Sequence, residues 1–301
     1  MQELKMMAAC LGEDYPTLLK QVKSLGDSVR PRGELVKEVS PFDLTLPYPR
    51  HCLTRRPGIN RALIDAERLL IMAGSYDKDI YEAVSPGVTK LLTGHGSYGP
   101  RIAGQMLVVE KELSQDPDSR RAIVYIGRSG DLEDTQKGAA PQDVPCTATW
   151  QFLVRDGSLH MFVNMRSWDL VWGLSGDVPV FVTVQLALAS ALGLYLGRYH
   201  HRAVSGHIYE RHFDLDASIP EYGNCVLDWI PSGGSFFVQQ TTARSVAHHL
   251  GMMVLDIMAA ESVEPFRDDI VALQERFPHW SNEIGTITKR AGVTAQKASD
   301  S

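Results

Sequence analysis

The sequence predicts an α+β fold, a mixed or largely antiparallel sheet flanked by helices. Three observations predict it. Two runs rich in β-branched and aromatic residues, TATWQFLV and LHMFVNMRS, are joined by Arg155-Asp156-Gly157-Ser158. Asp-Gly between such runs signals a hairpin, because a tight turn of the right twist needs positive φ at both central residues. Helical periodicity fills other stretches, without the strand–helix alternation of a doubly wound parallel sheet. At 44% hydrophobic and 22% charged over 301 residues, the chain can bury a sizeable core.

In chain order, residues 1–28 read as a helix with frayed ends. Pro57 to Gly74 places Ile59, Leu63, Ala66, Leu69 and Leu70 on one helical face, and Gly74 closes it. Residues 102–115 give a second helix, ended by DPDS; RRAIVYI reads as a strand, and 129–144 has the composition of an exposed loop. After the hairpin, Pro179 to Gly197 is apolar enough to suggest a membrane span. It carries Thr183, Gln185 and Ser190, and reads instead as a buried helix. HIYERHF reads as a short strand, 244–260 and 264–276 as helices, and the polar tail after Asn282, ending QKASDS, as loose chain. The expected organisation is an N-terminal helical segment (1–28), a main catalytic domain (29–240) and a divergent helical extension (241–301).

A net charge of −6 and a pI near 5.9 argue against a nucleic-acid-binding surface, though not against a small anion held by local arginines. The four cysteines, Cys10, Cys52, Cys146 and Cys225, form no CxxC pair. Their spacing matches neither a zinc motif nor a disulfide scaffold, so the expectation is no metal and a reducing cytoplasm. The N-terminal residues lack the basic and apolar regions of a signal peptide.

Cys146 lies where a loop meets a strand, within reach of a ligand, although most lone cysteines are simply small buried hydrophobes. Arg120 and Arg121 are adjacent, and Arg166 precedes Ser167 at the end of the hairpin. Neighbouring guanidinium groups call for an anion or for carboxylates, and they bind phosphate in a fork. Glu67, amid Ala66, Leu69 and Leu70, would have its pKa raised if it faced inward, which suits proton transfer. His207 and Tyr209 alternate on a strand and so share a face; they suit a sugar hydroxyl or a structural pair equally.

Together these residues resemble the thymidylate synthase family. The resemblance runs through Pro145-Cys146, Gln151-Phe152, Asp156-Gly157, Arg166-Ser167, Asp169, Gly173 and His207-Ile208-Tyr209, with DPDSRR, AERLL and Ser97-Tyr98-Gly99 upstream. It covers roughly residues 30–215. It implies that Cys146 adds to C6 of a pyrimidine nucleotide, activating C5 toward the one-carbon unit of 5,10-methylenetetrahydrofolate. Glu67 and Tyr98 would manage protons, Arg166 would lower the thiol pKa, and Gln151 would lie with the nucleotide. Asp169 would bind the pterin, with Trp172 and Gly173 beside the folate. The resemblance also implies a homodimer in which Arg120 and Arg121 reach the partner's phosphate site. Arg166, Ser167 and one of Arg30 and Arg32 would serve within the subunit, and His207 and Tyr209 would hold the sugar.

Departures point to a branch. The family's uracil-reading asparagine corresponds to Asp177, four residues after Gly173. A carboxylate can accept from the amine of cytosine but has no donor for O4; it could equally be a helix cap. Residues 68–97 hold no tryptophan to shield a methylene intermediate from water, and Thr147 replaces the usual histidine. The family's apolar C-terminal tail has no counterpart in QKASDS. The expected reaction is C5 hydroxymethylation of CMP or dCMP. The alternatives are methylation of dCMP or dUMP, and a catalytically silent nucleotide-binding relative.

Overall fold

The structure is a computed structural model that describes residues 1–90, 92–136, 143–220 and 223–299. In order these form β1 (Leu4–Met7), α1 (Leu11–Leu25), β2 (Asp27–Val29), β3 (Val36–Val39), β4 (Phe42–Leu46), α2 (Arg61–Ala73), α3 (Lys78–Val84), α4 (Tyr98–Gln115) and β5 (Ile123–Tyr125). Then follow α5 (Asp131–Gln136), β6 (Thr147–Arg155), β7 (Ser158–Asp169), α6 (Trp172–Ala191), β8 (Tyr195–Tyr209), α7 (Phe236–Ala260), α8 (Arg267–Arg276) and α9 (Ser281–Ser299). The chain divides into two compact units that interleave in sequence. The first comprises residues 1–59, 108–127 and 146–228; the second comprises 60–107, 128–145 and 229–301. These units cut across the three segments expected from the sequence.

The first unit holds one mixed sheet of eight strands in the order β1-β4-β8-β7-β6-β5, with β3 also on β8 and β2 on β3. The α+β class is as expected. β6 and β7 form the predicted hairpin, and Asp156 (φ 51°) and Gly157 (φ 68°) supply the two left-handed positions. β1 pairs with β4 and β7 with β8 in parallel; the other pairings are antiparallel. Parallel neighbours need a crossover, and α6 supplies the one between β7 and β8.

α6 is long and apolar enough to cross a membrane, yet 78% of its apolar window is buried within the protein. Two of its buried polar side chains donate to nearby carbonyls. Gln185 Nε2 donates to the carbonyls of Leu159 (2.9 Å), Gly197 and Arg198 (3.3 Å each), and Thr183 donates to the carbonyl of Pro179 at 2.9 Å. That satisfies backbone acceptors where the β7–β8 register shifts between Leu159 and Met161.

Several boundaries differ from expectation. Residues 1–28 open with a strand, because alternating Leu4 and Met6 align on β4 before the helical pattern begins. The buried helix spans 172–191 rather than 179–197, and it ends in a turn at Gly193 with φ 67°. The strand expected at 207–213 instead runs from 195 to 209, lengthened by pairing on both edges. The stretch read as a loop at 129–144 contains α5, whose Asp131 receives both terminal nitrogens of Arg101 at 2.7 and 2.8 Å; 137–142 lie outside the described residues.

The tail beyond Asn282 is the clearest correction. It forms α9, and Ile284, Ile287, Ala291 and Ala295 are buried along one face, on the spacing of a helical stripe. Within the second unit Glu283 receives a hydrogen bond from buried Arg68 of α2 at 2.8 Å, and Asp65 receives another at 3.1 Å. Small residues in the stripe disguised it as polar chain. Ile287→Ala should therefore cost about 2–5 kcal/mol of stability, the range for emptying a buried aliphatic site. The check is the urea midpoint followed by far-UV circular dichroism; an unchanged midpoint would mean α9 is not packed.

Candidate functional site

β7 lies at the centre of the candidate site. Its parallel register with β8 sets Ser167 opposite Ser205, Trp168 opposite Gly206 and Asp169 opposite His207. Its antiparallel register with β6 reaches Thr147 opposite Met165, and one step further Arg166 N donates to the carbonyl of Cys146 at 2.9 Å. The half-buried thiol residue and the exposed arginine are thus neighbours at one end of the sheet. Positive charge there would favour the thiolate, the nucleophilic form.

Asp169 braces the turn that leads into α6: Oδ1 accepts from the backbone N–H of Val171 at 2.8 Å and Trp172 at 3.2 Å. Asp177, for which the sequence left helix capping open, does something else. Its carboxylate accepts from Trp168 Nε1 at 2.9 Å. Gly173 makes room for this pair, since a Cβ there would come within 3.2 Å of both Asp177 Oδ2 and Trp168 Cδ1. Burial pushes the Asp177 carboxyl up to about 7; the charge of Asp169 pushes the same way, and the bond from Trp168 opposes it. Asp177 can therefore act as either acid or carboxylate near neutral pH.

His207 is buried and lies 5.2 Å, ring to ring, from Tyr209. Burial lowers its pKa, the charges of Asp169 and Glu38 raise it, and that of Arg32 lowers it. The charge of Arg32 is therefore felt at His207. Arg32 sits in the left-handed region at φ 53°, an uncommon conformation for a bulky residue and one that often accompanies function. Arg211 lies with its guanidinium carbon 4.1 Å from the Tyr209 ring centre and 5.0 Å from that of Trp172, whose indole is 53% exposed.

Other expected residues lie on other elements. Arg120 and Arg121 are exposed on the turn before β5. Arg121 Nε and Nη2 pair with Glu112 at 3.0 and 2.9 Å, so within this chain a carboxylate answers that arginine. Gln151 Nε2 donates to the carbonyl of Arg120 at 2.9 Å, which makes it a support for the arginine turn. Glu67 and Tyr98 belong to the second unit, on α2 and at the start of α4. Gly99 lets α4 begin against the end of α2: a Cβ at 99 would meet the carbonyl oxygens of Ser75 at 2.4 Å and Leu70 at 2.9 Å. That close approach is the local reason for a glycine after Tyr98.

The thymidylate synthase family profile matches residues 95–218, the stretch that contains Tyr98, Cys146, Arg166, Asp169, Asp177 and His207. A curated relative, the deoxyuridylate hydroxymethyltransferase of Bacillus phage SP01, is 28% identical over 223 residues. That alignment covers 65% of this chain and 56% of the relative, so the chain spans little more than half the relative's length.

Within the matched stretch and its flanks, sequence reasoning missed Trp168, Arg211 and Arg56. Trp168 holds Asp177 and stacks on His201 with ring centres 3.5 Å apart. Arg56 is half-buried; burial lowers its pKa, while Tyr15 and Asp169 favour its charge. Arg211 lay two residues beyond Tyr209 on the same strand pattern, which was a usable signal; Arg56 carried none.

The raised Asp177 pKa has a definite consequence for stability. The folded state binds this proton more tightly than the unfolded chain does. Asp177 therefore contributes stability below the ordinary carboxylate range near 3.8, and the contribution is lost as pH rises toward about 7. Denaturation midpoints for wild type should fall relative to Asp177→Asn between about pH 4 and about pH 7, then run parallel above it. Parallel curves throughout would contradict the assigned environment.

Proposed function

We propose that the chain is a pyrimidine nucleotide C5 hydroxymethylase. The observation that carries this reading is the backbone pairing of Cys146 with Arg166 on β7, the strand whose end also bears Asp169 opposite His207. Attack on C6 requires a thiolate, and Arg166 provides the adjacent positive charge. Once sulfur is bonded to C6, C5 is electron-rich and becomes the carbon nucleophile. 5,10-Methylenetetrahydrofolate supplies the one-carbon unit when bound. The exposed Trp172 indole and the neighbouring Asp169 carboxylate offer a flat apolar surface and an acceptor suited to a pterin. Glu67 and Tyr98 take the roles of proton carriers, as the resemblance implies. Water then captures the exocyclic methylene, a reading supported by the lack of tryptophan in residues 68–97.

For the nucleotide, Arg32, Arg166 and Ser167 would hold the phosphate, with Arg30 as the other candidate from the same turn. His207 and Tyr209 would hold the sugar. Asp177 as a carboxylate suits the amine edge of cytosine, which favours CMP or dCMP. A second reading has specific support. The phage relative is named for deoxyuridylate, and a protonated Asp177 has one donor and one acceptor, matching O4 and N3–H of uracil.

A homodimer completes the proposal. The sheet face carrying Thr45, Phe162, Asn164, His200 and Arg202 forms a concavity of about 520 Å³, and Phe162 stacks on His200 at 4.6 Å. Packing of a second copy there would cover it and let Arg120 and Arg121 exchange Glu112 for the partner's phosphate.

The deciding experiment is incubation with CMP, dCMP, UMP or dUMP plus the folate, with product mass as readout. We expect a hydroxymethylated cytosine nucleotide, and none from Cys146→Ser. Asp177→Asn should move the ratio of dCMP to dUMP specificity toward dUMP by at least about tenfold, one misplaced hydrogen bond's worth. A wild type that prefers dUMP assigns the uracil reading instead; four inert nucleotides would remove the enzymatic one.

Mixing Arg121→Ala and Cys146→Ala subunits tests the dimer. If the arginines cross over, such heterodimers regain one complete site, and activity returns to a sizeable fraction of wild type. Inert, demonstrably mixed dimers would place the arginines in their own subunit.

A further inference from the structure

Three segments of the first unit bring two thiols and an imidazole together away from any sequence motif. Cys10 stands at the N-cap of α1, His51 lies after β4, and Cys225 lies beyond β8. The Sγ atoms of Cys10 and Cys225 and a ring nitrogen of His51 all fall within 4.8 Å of one another, with Cys225 Sγ 4.0 Å from His51 Nδ1. Cys10 is buried and Cys225 half-buried.

The backbone is built to hold this arrangement. Leu11 N donates to the carbonyl of His51 at 2.8 Å, and Leu53 N donates to that of Cys225 at 3.0 Å. Leu227 N donates to the carbonyl of Arg50 at 2.6 Å, so the 225–227 stretch lies along 50–53 as an extended pair. Gly12 permits the closure: a Cβ there would come within 2.8 Å of both Cys225 Cβ and the Leu53 carbonyl oxygen. Arg55 Nε donates to the Gly12 carbonyl at 2.9 Å and fixes the same corner.

We propose that Cys10, His51 and Cys225 form a zinc site with two thiolates, one imidazole and water in the fourth position. Soft sulfur donors with an imidazole select zinc over the hard, oxygen-seeking cations. Tetrahedral zinc sets such ligand atoms roughly 3.5–3.8 Å apart, a contraction that small side-chain rotations deliver. Each thiol gives up its proton on binding, so affinity rises with pH. The ion would clamp the start of α1 and the loop after β4 to the segment leaving β8. None of the three residues belongs to the proposed reaction, so the inference stands whichever nucleotide the enzyme takes. A disulfide between Cys10 and Cys225 would leave His51 without a part.

The test uses the full chain, purified under a metal-free reductant, stripped with chelator and then given zinc or cobalt(II). The expected result is one zinc retained per chain after gel filtration, a thiolate-to-cobalt charge-transfer band in the near ultraviolet and a higher thermal midpoint with zinc. Cys10→Ser, Cys225→Ser and His51→Ala should each weaken zinc binding at least about tenfold, while Cys146→Ser retains it. The cobalt spectrum of the unsubstituted chain reports the ligand type even if a variant fails to fold. Stripped wild type that takes up no zinc, a cobalt spectrum without thiolate bands, or variants that bind as wild type would overturn the proposal. So would a linked Cys10–Cys225 peptide in chain isolated without reductant that resists zinc.

Discussion

The parallel pairing of β7 with β8 is the constraint on which the site depends. A parallel pair cannot close through a tight turn, so the chain must leave the sheet, travel its length and return. α6 does this as a 20-residue helix buried on almost every side. The return brings His207 beside Asp169, and Ser205 beside Ser167. The helix start places Asp177 against Trp168. Slip the β7–β8 register by one residue and these side chains pass to the opposite face. Gln185, donating to three carbonyls where the strands part, makes that slip costly because those acceptors would then be stranded in the interior.

Electrostatics follows from the same packing. Asp169 and Asp177 sit on one helix start, but their surroundings separate them. Asp169 accepts from two backbone N–H groups. Asp177 has one indole donor and a buried setting, and its proton affinity rises toward neutrality. Asp177 thereby gives the candidate site a hydrogen-bonding group that can switch between donor and acceptor near neutral pH. On the proposed function, base preference would be tied to which form of Asp177 meets the substrate.

The second unit solves a different problem. α2 carries Glu67 on a helix whose neighbours are α3, α7 and α9. Arg68 is buried between Asp65 and Glu283, and Trp229 lies against its guanidinium at 5.7 Å. Burial raises the pKa of both carboxyls, and the arginine opposes that shift. A charge buried this deeply is costly unless paired, so the C-terminal helix is bound to the helix that bears Glu67.

The sequence alone determined the elements whose signals are local. The Asp156-Gly157 turn was legible because its backbone conformation limits which residues can occupy it. The Gly74 stop was legible for the same reason, and the line of residues from Cys146 to Tyr209 was legible as an ordered resemblance. What tertiary structure decided has a common physical cause: it depends on partners far away in the chain. β8 became a 15-residue strand only because β4, β3 and β7 offer it edges. α9, read as loose, is ordered because Ile284, Ile287 and Ala291 find apolar neighbours. Asp177 could be read as a base reader or a cap, but its raised pKa depends on burial against Trp168. Cys10, His51 and Cys225 share no spacing that a sequence rule would notice. They meet because Gly12 leaves room for a segment more than two hundred residues away.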